Sequence, residues 1–556
     1  MWSPSHGSSM NKHLTLEDDM DPFDVESRSA LLQNSMEDQI SNPSWKLSFP
    51  HVLVATIVSF LFGYHLGVVN EPLESIAAEL GFNGNTLAEG LVVSTCLAGA
   101  FLGSLSSGWI ADGVGRRRAF QLCAIPMFVG AILCATATTL AGMLVGRFLV
   151  GTGLGVGPAV ASLYVTEVSP AHVRGTYGSF IQIATCLGLM AALVVGIPVK
   201  DISGWWRYCF WISTIPAALL AIGMVFCVES PHWLYKQGRI SEAEIEFERL
   251  LGDSHVKTAM AELAKLDRGD ESANEKFTEL LIGRHSRVVF IGSSLFALQQ
   301  LSGINAVFYF SSTVFRRAGV SSNVANVFVG ISNLIGSVIA LALMDKLGRR
   351  VLLLWSFFGM AAAMALQVFA ASLPALNSGA FYFSVAGMLM FVLTFAVGAG
   401  PVPGLLIPEL LPSLIRAKAM AFCMSVHWVL NFFVGLMFLR LLELFGPQLL
   451  YSFFGTFCLM AVVFVKRNVV ETKGKSLQEI EIALLAEWYY GPTVQTRCCR
   501  DLRDLAAKSL LLEFLGAIFP ADGPVFLSLL LWTTPGALII VYYSSYDSLG
   551  WKGCIC

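Results

Sequence analysis

The chain alternates between long apolar stretches and short polar connections from about residue 50 to residue 465. An α-helix needs about 20 apolar residues to cross the hydrocarbon core of a bilayer. The pattern therefore predicts twelve membrane-spanning helices, several of which contain Gly and Pro, residues that membrane helices tolerate. The predicted spans are 50–69, 88–111, 118–138, 142–165, 176–198, 207–228, 287–312, 323–344, 351–372, 380–407, 418–441 and 447–465.

Composition supports a membrane protein and excludes other classes. Residues of hydrophobic type make up 55% of the chain, charged residues make up 13%, and the mean hydropathy is +0.66. Since a soluble domain carries about 25% charged residues, a water-soluble enzyme, a disordered protein and a coiled coil are all excluded. The net charge of -3 gives no reason to expect nucleic acid as a partner.

Motifs of enzyme chemistry are missing from the sequence. Most of the twelve cysteines lie in apolar stretches, where a free thiol packs as a small hydrophobic group. There is no CxxC pair, which argues against zinc. HExxH, GxSxG and paired intramembrane carboxylates do not occur either. We therefore expect no enzyme activity, no metal and no cofactor.

Three motifs occur twice along the chain, at nearly constant spacing. Such a repeat predicts two pseudo-symmetric six-helix bundles, which bracket a central cavity and can rock against each other in alternating access. The matched pairs are GWIADGVGRRR (108–118) with LALMDKLGRR (341–350), TEVSPAHVRGT (166–176) with PELLPSLIRAKA (408–419), and VESPHWL (228–234) with VETKGKSL (470–477).

The repeat divides the chain into predicted segments. A disordered N-terminal tail precedes the first bundle, a linker with short amphipathic helices joins the two bundles, and a further amphipathic helix follows the second bundle. The last segment is an atypical tail with one more neutral run, 524–543, which is long enough to cross the membrane; it is a possible extra span or a gene-model artefact. The boundaries are 1–49, 50–228, 229–286, 287–470, 471–487 and 488–556.

Basic clusters predict the orientation of the spans. Arg116 and Arg117 lie in one short loop and Arg349 and Arg350 in another, and both loops fall on the side of the N-terminus. By the positive-inside rule this side is cytoplasmic, or stromal if the membrane belongs to a plastid. The N-terminal tail is acidic, which is atypical of a transit peptide.

Neutral amides stand out inside one apolar span. Gln299, Gln300 and Asn305 lie within two turns of a helix. Polar side chains in a membrane helix are costly and tend to mark a substrate path, and amides suit the many hydroxyl groups of a sugar. The same residues are equally consistent with hydrogen bonds that merely hold two helices together.

The repeated motifs, together with GRFLVGTGLG (146–155) and QQLSGINAVFYF (299–310), resemble the sugar porter family of the major facilitator superfamily over about residues 48–486. FGYHLGVVNEPL (62–73) and GAGPVPGLLIPEL (398–410) are most similar to the plant plastidic glucose transporter branch. The resemblance implies an all-α, twelve-helix membrane transporter for a sugar, with glucose as the expected hexose. It also implies a chain that works as a monomer in the plastid envelope, whereas the acidic tail favours the plasma membrane.

The resemblance also implies roles for single residues. Phe308 and Tyr309 would be gate aromatics, and Pro401 with Pro403 would bend the tenth span during gating or form a static kink. Gly404 and Ala396 replace a tryptophan and a glutamate of the animal facilitators, and His427 replaces an asparagine. The expected sugar-binding residues are Gln182, Gln299, Gln300, Asn305, Asn333, Trp428 and Asn431.

The resemblance implies that the charged loops form an ion-pair latch between the halves when the cavity faces outward, whereas the simpler interpretation is charge that only sets the topology. Carboxylates in the same loops favour the latch, because the positive-inside rule requires no acids. The residues expected to form it are Asp112, Arg116, Arg117, Glu167, Arg174, Asp345, Arg349, Arg350, Glu409 and Arg416.

Energy coupling depends on His65 and Arg147. Symporters of the family place an aspartate where this chain has His65, facing the arginine that is retained here as Arg147. Because a protonated imidazole would be repelled by the guanidinium, we expect facilitated diffusion. The alternatives are a proton symporter in which His65 itself titrates, and a sugar sensor that does not transport.

Overall fold

The structure is a computed structural model that describes residues 43–267, 286–317, 322–373, 378–411 and 416–473. Nearly all of these residues lie in α-helices. The N-terminal tail before residue 43, most of the amphipathic helix predicted at 471–487 and the tail at 488–556 with its possible extra span lie outside the described residues.

Seven helices form the N-terminal half. Side chains that precede two of them accept backbone hydrogen bonds and so fix the helix starts: Asn85 accepts from the amide of Ala88 at 3.2 Å, and Thr139 accepts from that of Gly142 at 3.2 Å. The helices are α1 (Trp45–Gly67), α2 (Leu73–Glu79), α3 (Thr86–Val114), α4 (Arg116–Thr136), α5 (Leu140–Val168), α6 (Arg174–Val195) and α7 (Trp205–Gly223).

Three short helices follow in the linker: α8 (Pro231–Lys236), α9 (Ile240–Leu251) and α10 (Asp253–Asp267). Helix α9 buries only Ala243, Phe247 and Leu250, which recur every three or four residues and therefore lie on one face. This is the amphipathic pattern expected of the linker.

Two breaks interrupt the helices of the C-terminal half, one within the tenth predicted span and one between the eleventh and the twelfth. A five-residue π-helix, Phe395–Ala399, separates α15 from α16, and Gly446, with a φ of 74°, divides the long helix α17 into two. The helices are α11 (Ser286–Leu301), α12 (Ile304–Arg317), α13 (Ser322–Leu347), α14 (Arg349–Ser372), α15 (Ser378–Thr394), α16 (Pro401–Leu410) and α17 (Arg416–Asn468).

Within the described residues, ten helical segments are long and apolar enough to cross a membrane. One of the ten, Ala419–Asn468, contains the break at Gly446 and therefore accommodates both the eleventh and the twelfth predicted span. The sixth predicted span corresponds to α7, which has 19 residues and is not among the ten. The positions of the helices thus follow the twelve predicted spans.

Helix α5 packs very closely against α3 through glycines of the GRFLVGTGLG motif. A Cβ atom on Gly151 would lie 2.0 Å from the carbonyl oxygen of Cys96, and one on Gly155 would lie 2.1 Å from that of Ala100. Only glycine permits such a contact between two backbones, as is common where membrane helices meet. The motif therefore serves packing rather than ligand binding.

Helix α1 begins at Trp45, ahead of the predicted start of the span at residue 50. The hydroxyl group of Tyr177 donates to the carbonyl oxygen of Trp45 at 2.7 Å, and the ring of Phe49 packs against Phe180 at 6.3 Å. These contacts with α6 extend the helix beyond the continuous apolar run that the sequence shows.

Candidate functional site

The amides of the QQLSGIN segment form a connected cluster in the C-terminal half. The Gln299 Nε2 donates to the carbonyl oxygen of Ala399 at 2.6 Å, and Gln300 Nε2 lies 3.3 Å from Gln299 Oε1. Asn305 Nδ2 donates to Gln300 Oε1, and Gln300 Nε2 lies 3.0 Å from Nδ1 of His427. The structure therefore brings together three of the amides that are predicted to bind sugar, and it places His427 in contact with them.

A break in the helix positions this cluster. Helix α11 ends at Leu301 and α12 begins at Ile304, so that the span is interrupted at Ser302 and Gly303. Gly303 has a φ of +84°, a conformation that L side chains rarely adopt, and the hydroxyl group of Ser302 donates to the carbonyl oxygen of Gln299 at 2.6 Å. The break places Asn305 back within reach of Gln300.

A second polar cluster joins the two halves between α6 and α13. The thiol of Cys186 lies 3.1 Å from the hydroxyl group of Ser337, and it accepts from Asn333 Nδ2 at 3.4 Å and from Gln182 Nε2 at 3.7 Å. Gln182 and Asn333, which are both predicted to bind sugar, therefore donate to the same sulfur atom. Cys186 and Ser337 were missed by the sequence analysis, because each looks like an ordinary small residue in an apolar span.

The predicted aromatic residues lie between the halves. Trp428 of α17 packs its ring against Phe62 of α1 at a centroid distance of 6.1 Å, and its buried Nε1 has no hydrogen-bond partner among the described residues. Tyr309 is also buried, and its hydroxyl group donates to Oδ1 of Asn431 at 3.1 Å. The unpaired indole N–H is a donor that a sugar hydroxyl could satisfy.

The tenth span is irregular where the sequence predicts a bend. Pro401 starts α16 directly after the π-helix and Gly400, and Pro403 is buried in its first turn. Ala396 is buried within the π-helix, whereas a Cβ atom on Gly404 would meet nothing within 4 Å. A larger side chain at position 404 would therefore extend into open space beside α16.

Arg147 does not contact the side chain of His65. Its guanidinium donates to the carbonyl oxygen of Val92 at 3.1 Å and to the backbone carbonyl of His65 at 3.4 Å. Both ring nitrogens of the buried His65 lack a hydrogen-bond partner within the part of the chain that the structure describes. No described carboxylate forms an ion pair with Arg147.

The two halves are joined at the outer face, which we define as the face opposite the start of α1. The buried carboxylate of Glu71 in the N-terminal half accepts from Asn326 Nδ2 at 2.9 Å and from the Ser312 hydroxyl group of the C-terminal half. It also pairs with Lys200 and lies 3.9 Å from Arg316. We name these five residues the outer-face cluster.

Neighbouring contacts close the same face. Asn70 Nδ2 donates to the carbonyl oxygen of Phe308 at 2.8 Å, so Phe308 takes part through its backbone as well as its ring. The hydroxyl group of Thr86 on α3 lies 3.1 Å from Glu443 on α17. The sequence analysis missed these pairings, since the partners lie more than 230 positions apart.

At the inner face, the described charge pairs lie within each half. Arg116 binds Glu167 at 2.9 Å and Asp112 at 3.1 Å, and Arg349 binds Glu409 at 3.3 Å. The arrangement is outer-closed, so it does not test the latch predicted for the outward-facing state. The side chains of Asp345 and Arg416 lie outside the described residues.

Two further acids of the repeat stabilise helix starts at this face. The carboxylate of Glu229 accepts from the backbone amides of Arg116 and Arg117 at 2.9 and 3.1 Å, and that of Glu471 accepts from those of Arg349 and Arg350 at 2.9 and 3.0 Å. A carboxylate is favourable at a helix N-terminus. The guanidinium groups of Arg117 and Arg350 in turn donate to the backbone carbonyls of Cys227 and Lys466.

The side chains of the two polar clusters and their neighbours offer amides, hydroxyl groups, a thiol and aromatic rings rather than charge. Among the described residues, no group of three His, Cys, Asp or Glu side chains is placed to hold a metal ion. Neutral donors and acceptors next to aromatic rings suit an uncharged polyhydroxyl ligand.

The chain matches the family described as "Sugar (and other) transporter" over residues 51–484. It therefore belongs to this family, the sugar porters of the major facilitator superfamily, as its motifs predicted. It is 72% identical to "Probable plastidic glucose transporter 2" of Arabidopsis thaliana over 484 residues, and the aligned residues cover 86% of this chain and 98% of that protein. "Plastidic glucose transporter 4" of the same plant is 47% identical, covering 78% of this chain and 80% of that protein.

Solved structures give the same fold. The inward-open xylose transporter XylE from E. coli superimposes with a TM-score of 0.68 at 27% identity, covering 78% of this chain and 99% of that chain. XylE bound to 6-bromo-6-deoxy-D-glucose has a TM-score of 0.68 at 29% identity, covering 79% and 99%. The predicted all-α transporter fold of the superfamily is thus confirmed, and the chain is a multi-pass membrane transporter rather than an enzyme.

Proposed function

We propose that the chain carries a hexose, with glucose as the first candidate, across a plastid envelope membrane. The relatives that are named plastidic glucose transporters support the substrate and the membrane. The acidic N-terminal tail keeps the plasma membrane as the alternative location. The observation that carries the proposal is the pair of amide clusters at mid-span, one around Gln300 and one around Cys186.

The proposed sugar-binding residues are those predicted from the sequence. A hexose between the halves would exchange hydrogen bonds with the two amide clusters and with the free indole N–H of Trp428, and would lie against its ring. Gln182 and Asn333 belong to different halves, so a sugar bound between them contacts both bundles. Such a contact lets binding energy favour movement of one half against the other.

Alternating access requires that the outer and the inner face open in turn. In the present arrangement the outer ends are held together by the outer-face cluster, so the cavity would open to the inner face. Opening outward requires that these bonds break and that new ones form at the inner face. There Glu167, Arg174, Glu409 and Arg416 remain the proposed latch. Both bundles are contained in one chain, which supports a functional monomer.

We further propose facilitated diffusion without a coupled ion. A proton symporter needs a group that exchanges its proton in step with gating. Arg147 binds backbone carbonyls, and the described residues provide no carboxylate beside it. A symporter in which His65 titrates remains the second candidate, because both ring nitrogens of His65 are unpaired among the described residues.

Uptake of labelled glucose into proteoliposomes, with and without an imposed pH gradient, tests the proposal. Facilitated diffusion predicts uptake that equilibrates with the sugar gradient and ignores the pH gradient. Accumulation that collapses with a protonophore would instead establish symport, and sugar binding without uptake would establish a sensor. Gln299→Ala should lower the apparent affinity for glucose, whereas Gln121→Ala, which removes an amide of α4 that donates to the carbonyl oxygen of Ala221, should not.

A further inference from the structure

The hydroxyl group of Ser356 on α14 makes two hydrogen bonds at the π-helix between α15 and α16. It donates to the carbonyl oxygen of Thr394 at 2.7 Å and accepts from the backbone amide of Ala399 at 2.8 Å. A serine inside a helix commonly bonds a carbonyl oxygen of its own preceding turn, as Ser372 of the same helix does with Val368 at 2.8 Å. Ser356 is buried and instead bridges two backbone groups of a different segment.

The bridge spans the widened turn of the π-helix. In this turn the amide of Gly400 donates to the carbonyl oxygen of Phe395, five residues back, at 2.9 Å, whereas an α-helix pairs residues four apart. Thr394 and Ala399 are also five residues apart, and the hydroxyl group of Ser356 joins the carbonyl of one to the amide of the other. A side chain that inserts between backbone groups in this way distorts a helix. The hydroxyl group therefore stabilises the π form of the turn.

Two glycines let α14 approach the turn closely enough for this bridge. A Cβ atom on Gly398 would lie 2.6 Å from the carbonyl oxygen of Leu352 and 2.7 Å from the Cβ atom of Ser356. On the other side, a Cβ atom on Gly359 would lie 2.6 Å from Cγ2 of Thr394. Because neither contact leaves room for a side chain, the turn packs directly against α14, and this packing keeps the hydroxyl group of Ser356 in place.

The same residue of the π-helix also binds Gln299. The amide of Ala399 donates to Ser356, and the carbonyl oxygen of Ala399 accepts from Nε2 of Gln299 at 2.6 Å. The same Nε2 atom lies 3.4 Å from the carbonyl oxygen of Gly400. Since a carbonyl oxygen only accepts, the NH₂ group of Gln299 is the end of its amide that faces the turn. The buried side chain of Gln299 is therefore oriented by a backbone segment whose shape depends on Ser356.

We infer that Ser356 is a positioning residue for sugar transport, which acts through the backbone of Ala399 on the orientation of Gln299. Without the hydroxyl group, the amide of Ala399 and the carbonyl of Thr394 lose a shared partner, and the turn tightens toward α-helical pairing. The carbonyl oxygen of Ala399 then turns away from Gln299, whose amide is no longer held for the sugar. This inference rests on the proposed transport of a hexose and on the proposed role of Gln299 in binding it.

Uptake of labelled D-glucose by the full chain in proteoliposomes tests this role. Ser356→Ala should raise the KM about threefold to tenfold, as expected for the loss of one buried hydrogen-bonded contact, and should leave kcat nearly unchanged. Ser356→Thr keeps the hydroxyl group and should restore most of the native KM. Ser372→Ala removes a hydroxyl group of α14 that donates to the carbonyl oxygen of Val368, and it should transport glucose as the native protein does.

A double-mutant cycle separates positioning from a general loss of structure. If Ser356 acts through Gln299, Ser356→Ala should change the KM little in a protein that already carries Gln299→Ala, because the side chain that Ser356 positions is absent. Independent increases in KM that multiply in the double variant would contradict the inference. A fall in kcat with an unchanged KM in Ser356→Ala would contradict it as well.

A second substitution covers the case in which Ser356→Ala does not fold. Ser356→Cys has a similar shape, but its thiol is a weak donor and a weak acceptor, so it should raise the KM in the same direction. A native KM for whichever of the two variants folds would overturn the inference. Failure of the native protein to transport glucose would contradict the proposed function itself, before any variant is compared.

Discussion

At the scale of single residues, charge is handled differently at the centre of the molecule and at its inner face. In the centre, Arg147 donates to the backbone carbonyls of Val92 and His65, so its positive charge is stabilised by dipoles rather than by a described carboxylate. At the inner face, Arg116 is held by two carboxylates. An added carboxylate near Arg147 should therefore change transport more than one added at the inner face.

His65→Asp should make transport depend on pH. The substitution places a carboxylate in the environment of Arg147, where an ion pair forms that protonation breaks. We expect the glucose uptake rate of the variant to change severalfold between pH 5.5 and 7.5, roughly as a single titrating group requires. The measurement is uptake into proteoliposomes at equal internal and external pH.

His65→Asn is the matched control, since it has the size of aspartate but does not titrate. Its pH profile should follow that of the native protein. If the profiles of His65→Asp and His65→Asn coincide, position 65 plays no part in coupling.

His232 should make the folded protein sensitive to mild acid. Burial, followed by the charges of Arg174 and Arg116, lowers the pKa of His232 from 6.5 to about 4. The unfolded chain therefore binds a proton that the folded protein excludes, so stability is complete above pH 6.5 and decreases as the pH falls toward 4. The loss amounts to at most about 3 kcal/mol.

Thermal unfolding of the detergent-solubilised protein between pH 7 and pH 4.5 measures this effect. His232→Phe retains the ring contact with Phe247 at 6.0 Å but cannot titrate, so its melting temperature should decrease less on acidification. His255→Phe removes a partly exposed histidine of α10 that lies 2.9 Å from the hydroxyl group of Ser254, and it should match the native slope. Equal slopes for all three proteins would show that His232 does not contribute.

At the scale of helices, close backbone contacts determine which helices can be neighbours. Helices α1 and α6 meet where a Cβ atom on Gly63 would lie 1.9 Å from the carbonyl oxygen of Thr185, and one on Gly188 would lie 1.9 Å from that of Phe60. The contact is reciprocal, with one glycine on each helix. Any larger side chain must push the two backbones apart.

Gly188→Ala should therefore destabilise the N-terminal half. We expect a loss of about 1–3 kcal/mol, because the overlap involves backbone atoms that cannot rotate away. The melting temperature in detergent measures this loss. Gly178→Ala lies in the same helix, where an added Cβ atom meets nothing within 4 Å, and it should leave the melting temperature unchanged or raise it. Comparable losses in both variants would contradict the packing argument.

At the scale of the whole molecule, the sequence was sufficient to predict features that repeat along the chain, but not contacts that cross between the halves. Apolar length predicted where the described membrane helices lie, and the repeated motifs predicted the transporter fold that the solved structures share. The amides around Gln300 were predictable because they lie in one segment. His427 and Cys186 complete the two clusters from helices that are remote in sequence, and no local pattern signals such partners.

The outer-face cluster shows the same limit. Glu71 follows the first span, and from sequence alone it looks like an ordinary loop acid near a span end. Its partners Ser312 and Asn326 lie 241 and 255 positions away in the other half. Folding removes the carboxylate from water, and the loss of hydration has to be offset by hydrogen bonds and by Lys200. The bonds to Ser312 and Asn326 cross between the halves and must break when the outer face opens, whereas Lys200 lies in the same half as Glu71.

Glu71→Gln should consequently shift the molecule toward the outward-open state. The neutral amide no longer attracts Lys200 and Arg316, so the closed outer face loses stability relative to the open one. A shift of about 1–2 kcal/mol increases the open population at least fivefold. The readout is labelling of Val93→Cys with a membrane-impermeant maleimide, since Val93 is buried where α3 meets Gly435 of α17.

The control for this shift is a carboxylate that lies at the same face but within one half. Glu79 binds Arg207 at 2.7 Å and Trp206 at 2.6 Å, all in the N-terminal half, and these contacts, the bond to Arg207 foremost, lower its pKa. Glu79→Gln removes a charge pair without joining or separating the bundles, and its Val93→Cys labelling rate should equal the native one. If Glu71→Gln labels no faster than Glu79→Gln, the carboxylate of Glu71 does not hold the outer face closed, and the contacts of Asn70 with Phe308 and of Thr86 with Glu443 must suffice.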